Sequence, residues 1–150
     1  MSNEVVGLIS LVLAGLLAGE EFVMYYGIRP AIATLEEQPQ ILTRQALIHR
    51  LRVLVPCMFV PTILTGTILT ILGGFGPGFL FRFAGLLGLL AWTMATVPGT
   101  VPINSAIADW KSTEPPKNWR AMVSRWERFA IVRCWAAVAA FVLFLVAAAM

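Results

Sequence analysis

The sequence predicts an all-α integral membrane bundle of four transmembrane helices, a single domain with its second helix extended beyond the membrane and both termini outside. Of its 150 residues, 59% are hydrophobic and 13% charged, against about 45–50% and roughly 25% in an average soluble domain. The apolar residues form four runs, at about 5–28, 51–73, 79–98 and 127–149, each matching the roughly 20 residues that a helix needs to cross the hydrocarbon. Ten of the 11 Lys and Arg residues lie at or beside the first and third connections, and only Arg82 belongs to the other side. By the positive-inside rule those two connections face the cytoplasm, in a cell (inner) membrane.

The first run begins after Met1-Ser2-Asn3-Glu4, which lacks the basic start of a signal peptide, so this segment is expected to be retained. It carries Gly15 and Gly19 at the four-residue spacing that lets helices approach closely in lipid, a spacing compatible with a homo-oligomer. Arg29-Pro30 is expected to end it. A polar connection through Glu36, Glu37 and Pro39 leads to a helical pattern that starts near Gln40, well before its apolar part, and contains Pro56 and Pro61. Gly73 to Gly78 is dense in helix breakers and reads as a turn. The third run reaches Pro98, Gly99 and Pro102, with a short extra helical piece expected over Ile103 to Trp110. Lys111 to Asn118 connects to a fourth helix that starts near Trp119 and turns apolar around Phe129. Cys57 and Cys134 lie in apolar runs at no ligand-like spacing and read as buried hydrophobes.

The basic residues form no continuous patch, so the net charge of +3 and the pI near 9.3 indicate topology rather than nucleic acid. Membrane lipid is the expected partner. The feature that calls for chemistry is the adjacent pair Glu20 and Glu21 inside the first apolar run. A carboxylate in lipid must be neutralised, paired or hydrated, which makes it either a packing partner or a functional group. Glu20 lies eight residues before Ile28, and Arg133 eight after Arg125. Both therefore sit about 12 Å from the cytoplasmic end at a rise of roughly 1.5 Å per residue. An intramembrane ion pair between Arg133 and one of the two glutamates follows. Because neighbouring helical positions point about 100° apart, only one of them can face it, and the sequence does not choose which.

Other polar and aromatic groups gather at the same leaflet: Tyr25, His49, Asn104, Trp110, Trp119 and Trp126. They suggest a pocket opening toward the cytoplasmic interface, with an ordinary aromatic belt as the alternative. The candidate catalytic residues are Glu21, Glu20, His49 and Arg133, and the candidate substrate contacts Asn104, Trp110, Trp126 and Tyr25. A His49 beside Arg50 and Arg52 also reads as a solvated surface residue, and Asn104 as a helix cap. With a single histidine a histidine-rich metal centre cannot be built, and no metal site is expected. No cofactor is expected either, although the glutamates leave a metal or haem open.

Three elements, in order, resemble the anthrone oxygenase-like family of small four-helix membrane proteins. They are AGEEFVMYYGIRP at Ala18 to Pro30, the V-P-I-N-x(5)-W element at Val101 to Trp110, and the W-x-R-F-x-x-x-R element at Trp126 to Arg133. The resemblance covers essentially the whole chain. It implies that Asn104, Trp110, Trp126 and Arg133 line the functional region. Some fungal members are linked to oxygenation of anthrones without a conventional organic cofactor, most bacterial members have no assigned activity, and the activity implied here is oxygenation or other processing of an apolar or phenolic substrate. Many relatives place a histidine where this chain has Ala130, so its role here has either passed to His49 or lapsed. Two classes of function stay open. One is an oxidoreductase whose Glu20, Glu21 or His49 abstracts a proton while Arg133 stabilises the anion; the other is a non-enzymatic lipid- or partner-binding module whose Glu and Arg fix helix packing.

Overall fold

The computed structural model describes residues 3–150, which form helices joined by turns, with no strand among them. Its elements are α1 (Asn3–Val23), α2 (Arg29–Ala33), α3 (Glu37–Leu72), α4 (Phe79–Ala95), α5 (Val101–Ala108) and α6 (Trp119–Ala148). A π-helical turn, Met24–Ile28, joins α1 to α2, and a second, Thr96–Thr100, joins α4 to α5. The chain therefore builds four rods, Glu4–Ala33, Glu37–Leu72, Phe79–Ala108 and Trp119–Ala148, each long and apolar enough to cross a membrane. Helix is the form such segments take, because lipid offers no partner for a free backbone N–H or C=O. With 36 residues, α3 is about 54 Å long at roughly 1.5 Å per residue, longer than the hydrocarbon core.

Pro30 does not end the first rod, and the third does not stop at Pro98. The Arg29 N–H donates to the Met24 carbonyl and the Val101 N–H to the Thr96 carbonyl, each five residues back. Each wide turn is followed at once by a proline, Pro30 or Pro102, in the first turn of the next helix, where a missing N–H costs nothing. A π turn thus carries both rods past a residue that ordinarily breaks a helix. The short extra helical piece expected over Ile103 to Trp110 is α5, which the second π turn joins to α4, and Trp110 lies just beyond it.

The core is formed where α6 meets α4 and α1, with Leu17, Leu89, Ala137, Ala140 and Phe144 fully enclosed. Ala130, Ala137 and Ala140 give α6 a narrow face, and α4 presents Gly85 and Gly88 to it. Small residues are what permit close helix approach in lipid. The α3–α4 side is packed more loosely. Of the two glycines in the first span, Gly15 packs on Phe141 within the bundle whereas Gly19 has open space beside it. Leu8, Val12, Leu16, Val53, Leu64 and Leu87 point outward, an apolar exterior suited to lipid contact.

The two ends of the bundle differ. At one, Arg82 donates to the Pro77 and Gly74 carbonyls and closes the α3–α4 turn, where Gly78 starts α4 at φ +79°. At the other, α3 holds the ends of its neighbours. Gln40 donates to the Ile32 carbonyl of α2, and Gln45 donates to both the Ile107 and Trp110 carbonyls at the end of α5. Cys134 is buried as expected, but Cys57 is exposed, because its position on α3 faces away from the other rods.

Candidate functional site

Glu21, on α1, is 2% exposed and lies at the junction of three rods. Its Oε1 accepts hydrogen bonds from Trp92 Nε1 of α4 at 2.9 Å and from Arg133 Nε of α6 at 3.0 Å, and also from Arg133 Nη2. The remaining nitrogen, Arg133 Nη1, donates to Thr100 Oγ1 at 3.3 Å. Thr100 in turn donates to the Thr96 carbonyl, so the second π turn presents a hydroxyl to the guanidinium. The guanidinium also lies 5.0 Å from the Trp92 ring centroid. All three Arg133 nitrogens are engaged, and the charges compensate each other away from water. This is the arrangement in which a buried pair is tolerated.

The α-helical rotation that turns Glu21 toward α6 turns Glu20 elsewhere. Glu20 borders a cavity of about 450 Å³ that Glu21, Arg133, Trp92 and Trp126 also line. Its Oε2 is buried without a hydrogen-bond partner, the only carboxylate oxygen in that state among the described residues. The opposite wall is apolar and comes from α3, with Ile48, Leu51, Val55 and Phe59; Phe59 stacks on Trp92 at 4.3 Å. Arg52 and Pro56 on one side and Val97, Val101 and Ser105 on the other are the exposed residues of the lining. The mouth therefore lies in the loosely packed seam between α3 and the α4–α5 rod, and it opens sideways.

At the charged end of the cavity stands Arg29, which is 5% exposed. Its guanidinium lies over the Trp126 ring at 4.1 Å from the centroid and 5.8 Å from that of Tyr25. Arg44, from α3, lies over the same Trp126 ring at 5.4 Å and bonds Glu127 at 3.5 Å. The first π turn sets this up, since an extra residue in one turn rotates everything after it, including Arg29, relative to α1.

Of the sequence candidates, Glu20, Glu21, Arg133, Asn104 and Trp126 come together around the cavity, and Asn104 Oδ1 and Trp126 Nε1 are buried without partners. His49 does not join them. It is exposed, and its Nδ1 pairs with the Gln45 carbonyl one turn back at 2.8 Å, the surface reading of that residue. Tyr25 stands behind Arg29 rather than in the lining, edge-on to Tyr26. Trp110 packs beside Ile48, Ile103, Ile107 and Trp126 and stays outside the lining. Ala130 is fully buried in the α6 face, and no histidine stands near it in the lining.

Trp92, Thr100 and Arg29 belong to the site although sequence reading passes them over. Trp92 could have been flagged: an indole N–H in mid-span requires an acceptor in lipid. Arg29 reads as a loop charge because the following proline reads as a helix end. Among the described residues no three His, Cys, Asp or Glu side chains group as a metal site. No family model, curated protein or solved structure matches the chain.

Proposed function

We propose that this is a multi-pass protein of the cell (inner) membrane that draws an apolar or phenolic molecule from the bilayer through the α3–α4 seam and oxygenates it beside Glu20. The observation that carries this reading is the unpartnered Glu20 carboxylate oxygen at a cavity of about 450 Å³ with an apolar wall, a size and character typical of small-molecule sites. The reaction class rests on the resemblance of Ala18 to Pro30, Val101 to Trp110 and Trp126 to Arg133 to anthrone oxygenases. The charge asymmetry of the connections supports a topology with both termini on the non-cytoplasmic side.

Glu20 takes a proton from a methylene activated by the adjoining aromatic ketone, and the electron pair delocalises onto the ketone oxygen as a phenolate-type anion. O₂ adds at the carbon, accepts the electrons and a proton, and the resulting hydroperoxide loses water to leave a carbonyl. Substrate and O₂ thus give quinone and water, the carbon being oxidised and O₂ reduced. Arg133 is not the anion stabiliser in this scheme, because its nitrogens are committed to Glu21 and Thr100. It and Glu21 hold α1, α4 and α6 around the cavity. That engagement is also what favours the second reading, a non-enzymatic module in which the pair serves packing alone.

The two separate in one assay. Purified protein in neutral detergent is given anthrone and oxygen uptake is followed. Uptake above the detergent blank should vanish in Glu20→Gln while the helical signal is unchanged. Equal uptake in wild type and variant removes Glu20 as the base, and none in wild type leaves the packing module.

A further inference from the structure

Arg29 makes no ion pair among the described residues. The ion pairs among the described residues are Arg44 with Glu127, Arg120 with Glu37 and Arg133 with Glu21, so neither cavity glutamate reaches it. Its Nε and Nη1 are buried with no hydrogen-bond partner, as are Nε and Nη1 of Arg44 and the Nε1 of Trp126 between them. Two guanidiniums over one indole place like charges close together; Glu127 bonds only Arg44, and Glu20 and Glu21, at the same cavity, make no ion pair with Arg29. A buried cation with free donors is costly to leave unpaired. The contact of the Arg29 guanidinium with the Trp126 ring uses none of its N–H groups, so the buried Nε and Nη1 keep their donors for the carboxylate or phosphate that arginine binds through that edge.

We propose that Arg29, backed by Trp126, is the binding site for an oxyanion, a carboxylate or a phosphate, at the charged end of the cavity. The apolar wall formed by Leu51, Val55 and Phe59 continues from it and fits an alkyl or aryl body attached to that group. The cavity then reads as amphiphilic, with a polar head held at Arg29 and an apolar portion along Leu51, Val55 and Phe59. This assignment is independent of the oxygenation chemistry, since it concerns binding alone and holds for a protein without turnover.

Equilibrium titration in dodecyl maltoside micelles, followed by tryptophan fluorescence, compares dodecanoate and dodecyl phosphate with dodecanol. Charge-assisted hydrogen bonds to Arg29 should make at least one anion bind about tenfold or more tighter than the alcohol. Arg29→Gln should abolish that preference, Arg29→Lys should keep part of it, and Arg50→Gln, which removes an exposed charge outside the cavity, should leave it intact. Displacement of dodecanoate by inorganic phosphate or acetate assigns the natural anion to a free ion, and failure to displace it assigns it to the headgroup of an amphiphile; both uphold the oxyanion site. Equal affinity for dodecanoate, dodecyl phosphate and dodecanol in the wild-type protein overturns it, and needs no variant that folds. So does a preference that survives in Arg29→Gln.

Discussion

Arg133→Gln isolates what the buried pair contributes. The substitution removes both donors to Glu21 and the donor to Thr100, leaving a carboxylate that is 2% exposed with the Trp92 indole as its remaining partner. The Thr100 contact is the smaller part, because an interhelical hydrogen bond in a membrane protein contributes about 0.6 kcal/mol on average and about 1.7 kcal/mol at most. Stranding one charge of a buried pair costs about 3–5 kcal/mol, so the uncompensated Glu21 dominates the loss. Glu21→Gln combined with Arg133→Gln removes both charges together, and the two amides can bond each other. Since exchanging a buried pair for neutral groups is often close to neutral in stability, the double variant should be more stable than Arg133→Gln alone. Reversible unfolding in mixed dodecyl maltoside and dodecyl sulfate micelles, read by far-UV circular dichroism, measures all three variants against wild type. A loss below about 1 kcal/mol in Arg133→Gln, or a double variant that loses the sum of the singles, would refute the assignment of a desolvated, mutually dependent pair.

Three further outcomes follow from the packing. A Cβ at Gly99 would stand 2.7 Å from Phe129 Cδ1, so Gly99→Ala should cost about 1–3 kcal/mol by overpacking the second π turn, measured in the same unfolding assay. Gln45→Leu removes the donor shared by the Ile107 and Trp110 carbonyls and leaves Trp110's without a partner, while Ile107's keeps the Trp110 N–H, at about 1–3 kcal/mol; it should be seen locally, as faster amide exchange at Asp109 and Trp110. Phe144 fills the space over Gly66 and Gly85, where a Cβ on Gly85 would come within 2.7 Å of Phe144 Cε1. Phe144→Ala should cost about 3–5 kcal/mol, and Gly85→Ala, harmful alone, should recover part of that loss in the double variant; strict additivity would show that the two sites do not share one volume.

The sequence by itself determined the solvent of this protein and, through it, the architecture. Lipid selects for long apolar runs, a property that can be read residue by residue, so four helices, the overlong α3 and the Gly73–Gly78 turn were legible. So was the shared depth of Arg133 and the glutamate pair, because helical rise converts residue counts into height. Rotation about the helix axis was not legible. Which of two adjacent carboxylates meets Arg133 depends on how α1 is turned against α6, and that is decided by the Gly15 contact with Phe141 and the small-residue face of α6. The two π turns were hidden for a related reason. A proline after one of them looks like a helix end in one dimension, yet Pro30 and Pro102 sit in continuous rods, and the phase shift before them delivers Arg29 to Trp126 and Thr100 to Arg133. Tertiary packing alone divided the labour between the neighbours, closing Glu21 into a compensated pair and leaving Glu20 free at the cavity.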